Sequence, residues 1–387
     1  MEEKTEPVYD YIIGGAGLAG LTLSWKLLES GLLSSKSLLL IEPDSKTKND
    51  RTWCFWAKNE PWLTELPISN EWNFAKIQGD NFEKSERLPP FKYYKIEGIH
   101  YYDFILNKIK KSDHITIVSD KIISEDAKRQ EVSTPSKTYH FKEYFFKGYF
   151  LNEDLSHMNR SKGRFIWQHF LGWKIKTPDR YFEADKITYM DMRVPEVPNG
   201  LSFAYILPES PTEALVEYTL FSAELWEKEA YEAELKQYIN NYLQIEGYEI
   251  IEEEYNKIPM TNTLALKREG NIIPIGTLAG TVKPSTGYSF VRNIRHVQKI
   301  VSNLQLGKDD FSIASNARFR FYDEVLINVL STGKASGHEV FRALYEKNEL
   351  TLLFRFLDEE TNLWQDLKIM NSVPKTAFIK AVWEELF

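Results

Sequence analysis

YDYIIGGAGLAGLTLSWKLLESGLLSSKSLLLIE, residues 9–42, decides the fold. Tyr11, Ile12 and Ile13 make a short apolar strand that runs into a cluster of glycines. Leu18, Leu21, Leu23, Leu27 and Leu28 then recur at roughly helical spacing, and Gly31 closes the helix. Leu38 to Ile41 form a second buried strand ending at Glu42. Within the turn, Gly15, Gly17 and Gly20 satisfy GxGxxG. The first glycine permits the tight turn and the second lets backbone approach a pyrophosphate. The third lets helix and strand pack closely, and the helix N-terminus faces the anion. Glu42 follows Gly20 by 22 residues, where an acid accepts hydrogen bonds from a ribose 2′-OH. A βαβ unit with all these parts points to a dinucleotide, and the carboxylate disfavours a 2′-phosphate. FAD or NAD is therefore expected here rather than NADP.

Composition bounds the rest. A chain of 387 residues holds two or three domains with ample core. The net charge of −8 argues against nucleic acid as a partner. Cys54 is the only cysteine, so an internal disulfide and a cysteine-built metal site are both ruled out, and no metal is expected. Aromatic residues reach 14%, enough to line an apolar cavity as well as fill a core. The first ten residues, MEEKTEPVYD, are polar and acidic and do not read as a secretion signal. No run approaches the length of a membrane span, so a cytoplasmic protein is expected, with peripheral membrane contact still open.

Working outward, DRTWCFW at 50–56 is too apolar for an idle surface loop. It reads either as a core strand with an Asp50–Arg51 ion pair at its mouth or as a segment placing Arg51 near a cofactor phosphate. A helix is expected at 101–111, and strand-hairpin character at 119–145 around a Ser-Thr-Pro-Ser turn. FFKGYF at 145–150 reads as a strand returning to the nucleotide domain. From Phe165 onward, β-rich segments separated by Gly or Pro turns predict an antiparallel sheet. On the last of these, ALVEYTLFS, Glu217 shares a face with Leu215 and Thr219. It either points to solvent and pairs with a base, or faces a dry cavity where desolvation keeps it protonated as an acid. Asp191 is the other candidate acid, with Arg193 beside it as a plain salt-bridge partner. Residues 223–244 read as an amphipathic helix. At 271–304 a strand, a glycine-rich loop and a helix recur, with Gly276, Gly280 and Gly287, Pro284 before the final turn, and Arg292 and Arg295 on the helix. From Phe311 the chain is helical and amphipathic, serving as packing or as a face toward a membrane or an apolar substrate.

In order, the motifs GGAGLAG, DRTWCFW, FLGW, MDMR, LPES…LVEYTLFS, PMTN, AGTVKPSTGYSFVRN, RFYD and RFLDEET make the chain resemble the bacterial type of lycopene β-cyclase, an FAD-dependent carotenoid cyclase family. The resemblance runs over nearly the whole chain. It implies an α/β fold with a discontinuous FAD-binding Rossmann-like domain (1–75, 95–160, 259–310), interwoven with an α+β substrate domain (76–94, 161–258) and followed by a helical C-terminal region (311–387). It implies non-covalent FAD, active in reduced form, with NAD(P)H as the flavin's reductant. Gly15, Gly17, Gly20, Glu42, Arg51, Gly276, Gly280, Pro284, Gly287 and Tyr288 would hold the cofactor. The implied reaction is redox-neutral cyclisation of the ψ-ends of lycopene to β-rings, initiated by Glu217. Because lycopene resides in bilayers, peripheral membrane association follows. The chain departs from the pattern at Tyr218, where plant-type members carry a second glutamate. It departs again at Lys283, where the family usually has His, and at Thr277, where flavoproteins carry Asp after Gly276. The competing expectation is an FAD-dependent monooxygenase or reductase of an apolar substrate on the same scaffold. A pigment carrier is disfavoured, because it has no need of a nucleotide.

Overall fold

The 9–42 stretch folds as a parallel βαβ unit: β1 (Val8–Gly14), α1 (Leu18–Glu29) and β2 (Leu38–Ile41), with Gly31 at φ +75° just past the helix. The computed structural model describes residues 6–151, 165–263, 265–314 and 316–386. Around β1 a sheet is laid down in the order β8-β2-β1-β11-β10-β9, where β8 is Ile115–Val118, β9 Ser124–Asp126, β10 Glu131–Ser133 and β11 Thr138–Lys147. The β9–β10–β11 part is the antiparallel excursion expected at 119–145. The Phe145–Lys147 end of β11 lies parallel to β1 on one side and to Ile272–Pro274 on the other. Strands this apolar must be covered on both faces. Over one face, α1 packs with the helix Gly98–Ile109, which starts three residues before the expected Tyr101, and with the helix Phe290–Gln305; Trp25, Tyr101, Leu21 and Val297 are fully or almost fully buried there.

The second sheet has seven strands ordered β16-β12-β15-β14-β13-β5-β6. They are β5 (Phe74–Gly79), β6 (Phe82–Arg87), β12 (Ile166–Lys176), β13 (Lys186–Asp191), β14 (Leu201–Ser210), β15 (Glu213–Ser222) and β16 (Glu249–Met260). All neighbours are antiparallel except β13 and β5. Alternation along β15 sends Val216, Tyr218 and Leu220 to an outer face. There they pack with Trp173 and Ile175 of β12 under the helix Lys228–Gln237. That helix is shorter than the expected 223–244: residues 223–227 precede it, and Tyr238–Tyr242 form a π turn. Glu213–Ser222 thus runs straight into a non-helical corner where the Tyr231 hydroxyl accepts the Trp226 N–H.

Strand β3 (Thr52–Ala57), the core of DRTWCFW, joins β7 (Lys92–Glu97) and β4 (Asn70–Trp72) in a small antiparallel sheet between the two large ones. Phe55 stacks on Phe290 with centroids 4.4 Å apart, and Trp56 stacks on Phe354 at 4.4 Å. The C-terminal helices, α5 (Ala317–Ser331), α6 (Gly337–Lys347), α7 (Leu350–Leu357), α8 (Leu363–Met370) and α9 (Lys375–Leu386), cover part of the inner face of the second sheet. The helical region expected from residue 311 begins at Ala317, where the Asn316 side chain caps it by accepting Arg318 N–H at 3.2 Å.

Candidate active site

The glycine turn takes the geometry a pyrophosphate needs. Gly15 sits at φ +92°, in the region only glycine enters freely. A Cβ on Gly20 would lie 1.9 Å from the Gly15 carbonyl oxygen, so helix and turn could not close with any larger residue. A Cβ on Gly17, by contrast, would meet nothing within 4 Å, which leaves a cradle beside the start of α1. Glu42 stands at the end of β2 with its carboxylate accepting Ala16 N–H at 2.6 Å and Asp44 N–H at 3.0 Å, and Lys46 Nζ lies 3.6 Å away. These four sequence-predicted residues are therefore one cluster at the carboxyl edge of the parallel sheet, where doubly wound folds bind nucleotides.

The second glycine loop meets this cluster from the far side. Gly276 is at φ +63° with its virtual Cβ 3.1 Å from Ala19 of α1, and Gly280 backs onto Ala265 at 3.2 Å. Gly276, Gly280 and the buried Pro284 shape the loop, while Ser285 to Phe290 line a cavity of about 250 Å³. Gly287, at φ +73°, lies so close to β12 that a Cβ would sit 1.9 Å from Gln168 Oε1. Lys283 turns away from the cavity and is buried against Asp323 of α5, at 2.8 and 2.9 Å. A lysine in place of the family's histidine thus has a structural partner in the RFYD segment. Tyr288 bonds to Tyr93 at 2.6 Å, and Tyr93 bonds to Tyr205 at 2.6 Å, giving a chain of phenols along the cavity wall.

The other walls of this cavity come from the inner face of the second sheet and from β3. Glu217 reaches it from β15, flanked by Phe170, Phe203, Tyr205 and Phe221. It accepts a hydrogen bond from Thr219 Oγ1 at 2.5 Å, and among the described residues no base pairs with it. Burial pushes its carboxyl up to about 8; the neighbouring Glu254 adds to the rise and Thr219 opposes it. The solvent-paired alternative for Glu217 does not hold. Asp191, the other candidate acid, has the salt bridge expected beside Arg193 but away from solvent: it is fully buried, and Arg193 NH2 (2.6 Å), Gln78 (2.6 Å) and Tyr238 (2.6 Å) all donate to it.

Arg51 makes the ion pair expected at the mouth of the strand. It pairs with Asp50 at 3.0 Å and is 44% exposed, and it also lines the cavity. The site also contains a residue that was not singled out beforehand. Glu254 of β16 is half-buried in the cavity wall, accepting Thr52 N–H at 3.0 Å and the Asn256 side-chain amide at 3.2 Å. In the sequence it closes the run EEE at 252–254, which looks like a solvated face; only its parity with Asn256 and Ile258 along the strand hints otherwise.

Among the described residues, Gln168 Oε1 and Ser285 Oγ, both on the cavity, are buried without a hydrogen-bond partner, as is Thr281 Oγ1 in the same glycine loop. Buried polar atoms left this way need a ligand or water. Through Tyr189, Ser285, Thr286, Phe341 and Tyr345 the cavity shares a wall with a larger one of about 780 Å³ among α5–α9, lined mainly by Leu, Phe, Ile and Val.

A sheet built around this parallel glycine turn, a mostly antiparallel second sheet and a helical C-terminal part give the chain the Rossmann-like fold of FAD-binding proteins. It is similar to a geranylgeranyl bacteriochlorophyll reductase-like protein from Thermoplasma acidophilum, at 14% identity and TM-score 0.59, covering 97% of this chain and 96% of that one. It is similar also to the flavin-dependent brominase Bmp2, at 10% identity and TM-score 0.56 over 98% and 99% of the two chains. The 2-methyl-3-hydroxypyridine-5-carboxylic acid oxygenase shows the same likeness, at 10% identity and TM-score 0.56 over 91% and 96%. At such identities the likeness is one of fold. The family is more specific: the model of the lycopene cyclase protein family matches residues 10–382, and the chain belongs to that family. No curated protein sequence matches the chain.

Proposed function

We propose that the chain cyclises the ψ-ends of lycopene to β-rings, with no net oxidation or reduction. The observation that carries this reading is a carboxylic acid held protonated near neutral pH among aromatic rings, in a cavity next to a larger apolar one. Glu217 delivers its proton to the terminal C1=C2 bond. The C5=C6 bond attacks the resulting tertiary cation and closes a six-membered ring, and loss of the C6 proton to the Glu217 carboxylate gives the β-ring and restores the acid. Alkenes are weak bases, so the site must favour the cation over its precursor. The faces of Phe170, Phe203 and Phe221 do so by cation–π attraction, and the apolar walls keep out water that would trap the cation as an alcohol.

FAD fits the glycine turn and the orphaned polar atoms described above. Gly15, Gly17, Gly20 and Glu42 would hold its pyrophosphate and ribose, with Arg51 near a phosphate, and Gly276, Gly280, Pro284, Gly287 and Tyr288 would form the loop against its ring. When bound and reduced, the flavin supplies negative charge beside the cation, and NAD(P)H serves only to reduce it. Because the substrate is a bilayer hydrocarbon, the protein works as a peripheral membrane enzyme.

Purified protein incubated anaerobically with lycopene and reduced FAD tests the reading. Cyclised carotene in the chromatogram, without stoichiometric NAD(P)H consumption, is expected. Unchanged lycopene under nitrogen, with turnover only when oxygen is admitted, would instead identify a monooxygenase.

A further inference from the structure

Glu217 and Glu254 occupy one row of the second sheet. Glu217 of β15 and Glu254 of β16 both pair in register with Gly172 of β12, the strand between them. Directly opposed residues of antiparallel strands present their side chains on the same face. Both carboxyls therefore rise from the cavity face, on backbones separated by two strand spacings, about 10 Å. The residue between them has no side chain. A Cβ on Gly172 would stand 3.5 Å from Glu217 Cβ and 3.6 Å from its Cγ, so any larger residue would fill the space that separates the two acids.

The acids are surrounded differently. Glu217 receives a single hydroxyl. Burial raises the Glu254 carboxyl above the usual carboxylate range, but a backbone N–H, a side-chain amide and the Arg51 guanidinium oppose that rise and favour its charged form. The other groups facing Glu217 are Tyr205, opposite it on β14, and Cys54 on β3, while Lys257 of β16 lies over the Trp167 ring. Lys95 and Lys174 bind Glu97 and Glu209. Of two carboxyls in one dry site, the one supplied with donors ionises and the other keeps its proton.

We infer that Glu254 is the first of the two acids to ionise and acts on Glu217 across Gly172, adding to the protonated form that burial already favours and placing negative charge in the cavity where the cation develops. Glu254 is thus a positioning residue, and a carboxylate two strands away supplies the partner that Tyr218 removes from the local motif. The inference rests on the reading of Glu217 as the proton donor.

Infrared difference titration of the full-length protein tests it without reference to turnover. The carboxyl C=O band of Glu217 is assigned by its loss in E217Q. In E254Q its titration midpoint is expected to fall by about one pH unit or more, while E254D, which keeps the charge, stays near wild type. The alkaline limb of the cyclisation rate should move by the same interval in E254Q. A folded E254Q with an unmoved Glu217 band overturns the coupling, and so does an E254D that shifts as far as E254Q. Should E254Q not fold, the wild-type titration decides: two separate carboxyl steps with Glu254 ionising first are expected, and one step at an ordinary carboxylate pH refutes it. A band that shifts as expected in a protein that leaves lycopene unchanged upholds the coupling and removes only the proposed reaction.

Discussion

At the scale of single residues, the chemistry turns on what a buried carboxyl does to the chain that carries it. Folding holds the Glu217 proton up to about pH 8, whereas the unfolded chain releases it near 4.5. Across that window the folded state binds more protons than the unfolded one, so stability falls as pH rises. E217Q cannot ionise and escapes this loss. Its unfolding free energy from urea denaturation should match wild type near pH 4.5 and exceed it at pH 8, by up to about 4 kcal/mol as set by that shift. The same variant should keep its flavin and lose cyclisation by at least about 100-fold, the usual weight of a general acid. A Gln variant that turns over near wild-type rate, or that gains no stability at high pH, shows that Glu217 is not a protonated donor. Glu217 was legible in the sequence because a carboxyl stands out on a strand of alternating apolar residues. Glu254 was not, since an acid inside Glu252-Glu253-Glu254 looks solvated until the register of β12 with β16 places it on the inner face. Pairing register depends on contacts between strands about 80 residues apart, and no local pattern carries it.

At the scale of elements, the glycine turn separates two demands that a sequence motif merges. Gly20 is required by the protein itself, because its Cβ would collide with the Gly15 carbonyl at 1.9 Å. Gly17 is not, because its Cβ would enter open space. G17A should therefore fold with a melting temperature within a few degrees of wild type while binding FAD at least about 10-fold more weakly, as read by flavin fluorescence. G20A should lose stability by more than about 2 kcal/mol, as read by urea denaturation. Equal loss of stability in both would mean the spacing serves packing alone. The βαβ unit, the 119–145 hairpin and the strands after Phe165 were legible because period and turn chemistry agree there. The helix expected at 223–244 was overextended mainly at its start, since its amphipathic pattern includes 223–227 while helical backbone begins at Lys228 and runs, through a π turn at Tyr238–Tyr242, almost to the expected end. Lys283 likewise reads as an anomaly in the loop until Asp323, 40 residues on, is seen to neutralise it.

At the scale of the whole molecule, the proposed reaction requires a hydrocarbon to pass from a bilayer to Glu217 without crossing water, and no described helix is long and apolar enough to span a membrane. The larger cavity offers such a path. Its rim includes Trp364 and Leu367 of α8 and Ile379 of α9, which are 82%, 56% and 67% exposed. Trp383, 65% exposed, follows one turn after Ile379. The exposed Lys368, Lys375 and Lys380 lie among them, while Glu384 is drawn to Lys334 of the segment after α5 at 2.8 Å. Indoles and aliphatic tips ringed by lysines suit the headgroup boundary of an anionic bilayer, although the chain as a whole is acidic. Each buried indole contributes on the order of 2 kcal/mol to such docking. The double variant W364S/W383S should thus sediment with phosphatidylglycerol-containing vesicles at least about 10-fold less than wild type. It should still cyclise lycopene dispersed in detergent, because neither tryptophan reaches the smaller cavity that holds Glu217. Undiminished sedimentation of the variant would move the docking surface elsewhere. Loss of activity in detergent along with loss of binding would mean that these helices shape the active site itself and do not deliver substrate to it.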